Sequence, residues 1–164
     1  MYMKLVELFK IFDIERISLN FKFLDVELVI NNYDKEAAWL MYVELITRVT
    51  TQLLEDDSGI EEAALKSVYN MFEITRNVLK EKGRKAKTFT KISIIILNQK
   101  IRPFTSKWHK EFEEDEYLNK EKCSEFRKEL KELQKVLTNY CRLLADMAEV
   151  EELTNIKDDE YQYN

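Results

Sequence analysis

The stretch Phe89–Phe112, FTKISIIILNQKIRPFTSKWHKEF, decides how this chain is read. It carries the single proline, Pro103, the single histidine, His109, and one of the two tryptophans, Trp108. Its centre, Ile92–Leu97, is so apolar that a helix there is expected to be enclosed by other elements on all sides. The polar residues Asn98, Arg102 and His109 follow directly. They make this helix the expected centre of both the fold and any site.

Composition narrows the fold. Of 164 residues, 45% are hydrophobic, enough for the core of one domain. Two glycines and one proline are too few for the turns of a many-stranded protein, and Glu, Lys and Leu favour helices. The expected fold is mainly α: an up-down-up-down four-helix bundle over residues 34–154, preceded by a short helix and β arm (1–33) and followed by a flexible acidic tail (155–164). Cys123 and Cys141, if both lie on one helix, are about 27 Å apart at 1.5 Å rise per residue and cannot pair. No stretch has the pattern of a signal peptide or the ~20 apolar residues of a membrane span, so a cytoplasmic protein is expected. The net charge of -5 opposes general nucleic-acid binding.

Moving outward from the centre, residues 2–12 have the apolar spacing of a helix at Leu5, Leu8, Phe9 and Phe12. Period-two alternation of Ile17, Leu19, Phe21 and Phe23 predicts a strand over Arg16–Phe23, and Val26–Ile30 reads as a second strand or an irregular arm. Asp34 is the expected N-cap of a helix to about Leu54, with Trp39, Tyr42, Val43, Ile46, Val49 and Leu53 as its inward stripe. A second helix is expected from about Gly59 or Ile60 to Lys82, with Leu65, Val68, Phe72, Thr75 and Leu79 inward and Gly83 as its stop. Thr88 is the candidate cap of the central helix. The last helix, about Cys123–Val150, places Phe126, Leu130, Leu133, Leu137, Tyr140, Leu144 and Met147 at four-three spacing, the seam of a bundle.

Pro103 lacks an amide donor and crowds the preceding turn. Either the central helix bends between Gln99 and Arg102, or it stops near Ile101 and a new helix begins at Pro103. Arg102 has Asn98 one turn before it. A buried arginine needs a carboxylate, and Glu44, which shares an i,i+4 spacing with Arg48 on the first long helix, is the structural candidate. The functional alternative is that Arg102, Arg48 and Arg76 converge on an anion, which suits the guanidinium fork. Trp108 and His109 stand beside them. With one histidine and no Walker, nucleophile-elbow or dinucleotide fingerprint, the sequence calls for no metal or cofactor. The basic run Lys80, Lys82, Arg84, Lys85 and Lys87 reads as a solvated linker.

The segments AAWLMYVELITRVTTQLL, ALKSVYNMFEITRNVLK and FTKISIIILNQKIRPFTSKWH resemble a family of small uncharacterised bacterial helical proteins, most specifically in the block LNQKIRPFTSKWH. The resemblance covers about Asp34–Thr154. It implies a bacterial cytoplasmic protein with a shared site around Trp39, Glu44, Arg48, Arg76, Asn98, Arg102, Pro103, Trp108 and His109, working beside an effector of a defence system. The expected function is a non-enzymatic interaction or regulatory module whose partner is a larger protein or a second copy. The alternative is a sensor or enzyme for a small anionic, nucleotide-like ligand, with a pocket at the Pro-bent helix.

Overall fold

A computed structural model describes residues 2–4, 27–48, 61–114, 119–151 and 153. These residues are mainly helical. Strand β1 (Tyr2–Lys4) pairs antiparallel with β2 (Glu27–Val29), Met3 opposite Leu28. Tyr2–Lys4 is therefore extended where a helix was expected; the helical spacing begins only at Leu5. The strand expected over residues 16–23 lies outside the described residues.

Helix α1 spans Asn32–Ile46. Its N-cap is Asn31 rather than Asp34: the Asn31 side chain accepts from the amides of Tyr33 and Asp34, and Asp34 returns a bond to the Asn31 amide, completing a capping box. The inward stripe also differs. Trp39 and Val43 are 47% and 38% exposed, and the buried face is Ala37, Ala38, Met41, Tyr42 and Leu45. Two alanines let a neighbouring helix approach closely, and the bulkier Trp39 is turned outward. Helix α1 ends at Ile46, short of the expected Leu54. The chain there reads ITRVTT, β-branched at five of six positions, and such side chains lose rotamer freedom in a helix. The Thr47 hydroxyl donates to the Val43 carbonyl at 2.9 Å.

The second expected helix is divided at Asn70 into α2 (Glu61–Tyr69) and α3 (Met71–Lys82). Leu65, Val68 and Thr75 are buried as expected, and Phe72 and Leu79 are half-buried. Gly83 follows α3 with right-handed backbone, and a Cβ there would meet the Leu79 carbonyl oxygen at 2.5 Å. Lys82 bonds to Glu36 at 2.8 Å while Thr75 meets Met41, so α3 runs opposite to α1.

The central stretch comprises α4 (Lys87–Ile96), one π-helical segment (Leu97–Ile101) and α5 (Arg102–Glu114). Its centre is not enclosed on every side: Ile92, Ile96 and Leu97 are buried, but Ile94 is 43% exposed. Helix α6 spans Lys120–Ala148 and starts at an Asn119 cap, one turn before the expected Cys123. All seven residues of its expected seam are buried. Both cysteines lie on it and are unbridged. Phe126 packs edge-on against Trp108, and the Tyr140 hydroxyl meets Ser93 at 2.8 Å, so α6 runs back along α5 and α4. Burial pushes the Tyr140 phenol well above its ordinary pKa, with the Ser93 hydrogen bond acting in the opposite sense. After α6, Glu149 adopts left-handed backbone (φ 57°) and pairs with Lys35, and Tyr42 Oη donates to the Glu151 carbonyl and accepts from the Leu153 amide.

Thr88, expected as a cap, instead donates to the Val29 carbonyl at 2.7 Å. The start of α4 is capped from another helix. Asp34, fully buried, accepts the Phe89 amide at 2.9 Å through Oδ1 and the Asn31 amide at 3.0 Å through Oδ2. Asp34→Ala leaves the buried Phe89 donor without an acceptor and removes half of the capping box. It should lower the unfolding free energy in urea by about 2–3 kcal/mol, and Asp34→Asn by less, because an amide oxygen still accepts one bond.

Candidate functional site

The π segment inserts one extra residue per turn just before Pro103, and the Arg102 amide reaches back to the Leu97 carbonyl. The outcome combines the two expected alternatives: the helix is neither simply bent nor stopped. Pro103 lies inside this continuous helix, directly after the π segment, so the donor that its ring removes falls where the backbone hydrogen-bond pattern has already shifted. Arg102 is placed on the surface. Its Nε donates to Asn98 Oδ1 at 3.1 Å, and its guanidinium lies 5.0 Å from the centre of the Phe72 ring.

Phe72 belongs to a short aromatic run. Tyr69, 51% exposed, lies 5.6 Å from Phe72 and meets His109 edge-on at 4.8 Å. The end of α2, the start of α3, the π segment and α5 therefore bring together Tyr69, Phe72, Asn98, Arg102 and His109. The exposed Arg76 is one turn beyond Phe72 on α3. Tyr69 escaped the sequence reading, and Phe72 was expected only as an inward residue of its helix; their i,i+3 spacing ahead of Arg76 in YNMFEITR was the available signal.

The expected ion pair between Arg102 and Glu44 is not formed. Glu44 is taken by Arg48 on its own helix, with Nη2 at 2.7 Å and Nε at 3.2 Å from one carboxylate oxygen. Arg102 is exposed, so it needs no carboxylate to offset burial, and among the described residues it has none. Trp39 is exposed on α1, with Tyr42 as its aromatic neighbour. Trp108 is fully buried between Phe104 and Phe126, and its indole N–H donates to Glu129 at 2.9 Å. It is a core residue, closed to a ligand.

Lys107 holds the outer side of that contact, its ammonium 2.6 Å from both Glu125 and Glu129. Hydrogen bonds to the two carboxylates raise the Lys107 pKa, and the same lysine lowers that of Glu125. The lowered Glu125 contributes above the ordinary glutamate pKa of 4.5 and loses its contribution as pH falls through its folded value. The raised Lys107 contributes below 10.5 and loses its contribution as pH rises through its folded value.

An open cleft of about 610 Å³ lies elsewhere, lined by Glu61 and by the α6 residues Lys120, Cys123, Ser124, Arg127, Lys128 and Lys131. None of the residues lining this cleft belongs to the central stretch, where Arg102 and its neighbours form a surface cluster. Among the described residues, no group of three or more His, Cys, Asp or Glu side chains is arranged to hold a metal. No helix is long and apolar enough to cross a membrane, again among the described residues. No family model, curated protein or solved structure matches the chain.

Removing the acceptor of Trp108 tests the reading of that residue as core. Glu129→Ala should destabilise by about 1–3 kcal/mol and shift tryptophan emission, because a buried N–H is left unpaired.

Proposed function

We propose that the chain is a non-enzymatic interaction module that binds another protein through the Tyr69–Phe72–Arg102–His109 face. The partner is a larger effector or a second copy, and the module serves as an accessory subunit of a bacterial defence system. On this reading the helices form an up-down-up-down four-helix bundle, a rigid base for a contact surface on α2, α3 and α5, with the N-terminal segment as a β arm. The reversed directions of α1 and α3, and of α5 and α6, support that arrangement.

One observation carries the reading: Arg102 is held over an aromatic ring at the surface, fixed by Asn98 and without a carboxylate among the described residues, beside a half-exposed tyrosine. Arginine and tyrosine dominate the energetic centres of protein interfaces, because both carry a large flat surface and a polar end at small entropic cost. A carboxylate on the partner completes Arg102.

Arg102→Glu should leave the melting temperature nearly unchanged, since an exposed stacked arginine contributes only about 0.5–1 kcal/mol. A photocrosslinking residue in place of Tyr69, in cells of the native host, should give one defined protein adduct that disappears when Arg102→Glu is added. The same probe at Lys91 should give none. Identical adducts from both positions, or a Tyr69 adduct that persists with Arg102→Glu, would overturn the proposal.

A further inference from the structure

We propose that the cleft along the first three turns of α6 binds a ligand carrying a chain of phosphate groups, such as a nucleoside triphosphate or inorganic polyphosphate. The inference is independent of the protein-contact face. It rests on how α6 divides its charges. Along one side, Glu125 and Glu129 are taken by Lys107 of α5. Along the other, Lys120, Arg127, Lys128 and Lys131 line a single concavity of about 610 Å³. That size lies within the roughly 300–1,000 Å³ of small-molecule sites.

The carboxylate in the cleft is already neutralised. Glu61 accepts from Arg127 Nε at 2.8 Å, and both side chains are largely shielded from solvent. Lys120, Lys128 and Lys131 form no ion pair among the described residues. Glu132 feels the charges of Lys128 and Lys131, but its hydrogen bond goes to Lys135 at 2.8 Å. Among its described lining residues, the cleft therefore carries an excess of about three positive charges.

Their spacing selects the ligand. Lys120 and Lys131 are separated by about 16 Å along the helix axis, and Lys128 stands between them, about 4.5 Å of rise from Lys131. One phosphate cannot meet all three, whereas linked phosphates present charge along a line and the flexible lysine stems adjust to it. The helix N-terminus is not the recognition element, because the Asn119 side chain already accepts the Lys122 amide at 2.9 Å.

The chain holds its own reporter. Cys123 lines the cleft and is partly exposed, and Cys141 is fully buried, so a maleimide added to the folded protein labels Cys123 selectively. Tripolyphosphate and ATP should each slow that labelling at least tenfold, and inorganic phosphate at equal ionic strength should slow it far less. Calorimetry should show tripolyphosphate affinity falling at least tenfold with Lys128→Gln and Lys131→Gln combined, and holding with Lys91→Gln on α4. Affinity should also fall steeply with added salt. Tighter binding of ATP than of tripolyphosphate would assign a role to the nucleoside, and equal binding would assign recognition to the phosphates alone. Labelling unaffected by millimolar tripolyphosphate, or protection that survives the paired lysine substitutions, would overturn the proposal.

Discussion

The carboxylate of Asp34 is the contact on which the arrangement of the helices depends. It is fully buried, yet it faces two backbone amides: that of Asn31, which begins α1, and that of Phe89, in the first turn of α4. One side chain thus satisfies donors at two helix starts that are distant in sequence. Both sites also favour negative charge through the helix dipole. Around it, Asn31 Nδ2 donates to the Lys85 carbonyl, Thr88 to the Val29 carbonyl, and Lys82 pairs with Glu36. The turn between α3 and α4 is consequently fixed against the start of α1.

That constraint reaches the surface through the central helix. With the first turn of α4 anchored and Ile92 and Ile96 locked in the core, the rotational setting of the next turns is determined by the backbone alone. The π segment then changes the setting by one residue. Asn98 and Arg102 emerge together beside Phe72, and the residues on either side of Thr105 divide the roles, with Phe104 and Trp108 turned inward and Arg102 and His109 kept toward α2 and α3. Pro103, which has no amide to donate, follows this shift directly.

Much of the fold was legible, and the reasons differ by element. The α6 seam was readable because seven large apolar residues repeat at one period over about six turns, so no shift of phase could bury them equally well. On α1 the phase was misread. Alanine is weakly apolar, and the stripe with Ala37 and Ala38 looked poorer than the one with Trp39 and Val43, although close helix contact favours the smaller side chains. Asp34 was recognised as a capping residue but assigned to its own helix, because a cap supplied across the fold leaves no local pattern. The cluster at Arg102 was half legible: Asn98, Arg102 and His109 share one stretch, whereas Tyr69 and Phe72 join them only through tertiary packing. The expected Glu44 pair failed because it assumed that Arg102 was buried.

Native-state hydrogen exchange at the Phe89 amide tests the central claim most directly. An amide in the first helical turn has no acceptor four residues back within its helix and ordinarily exchanges fast. If Asp34 holds α4 in place, the Phe89 amide should exchange only through global unfolding, with protection equal to that of the α6 core at Leu137 and Leu144, while its neighbour Thr88 exchanges much faster. A Phe89 amide that exchanges as fast as that of Thr88 would contradict the account.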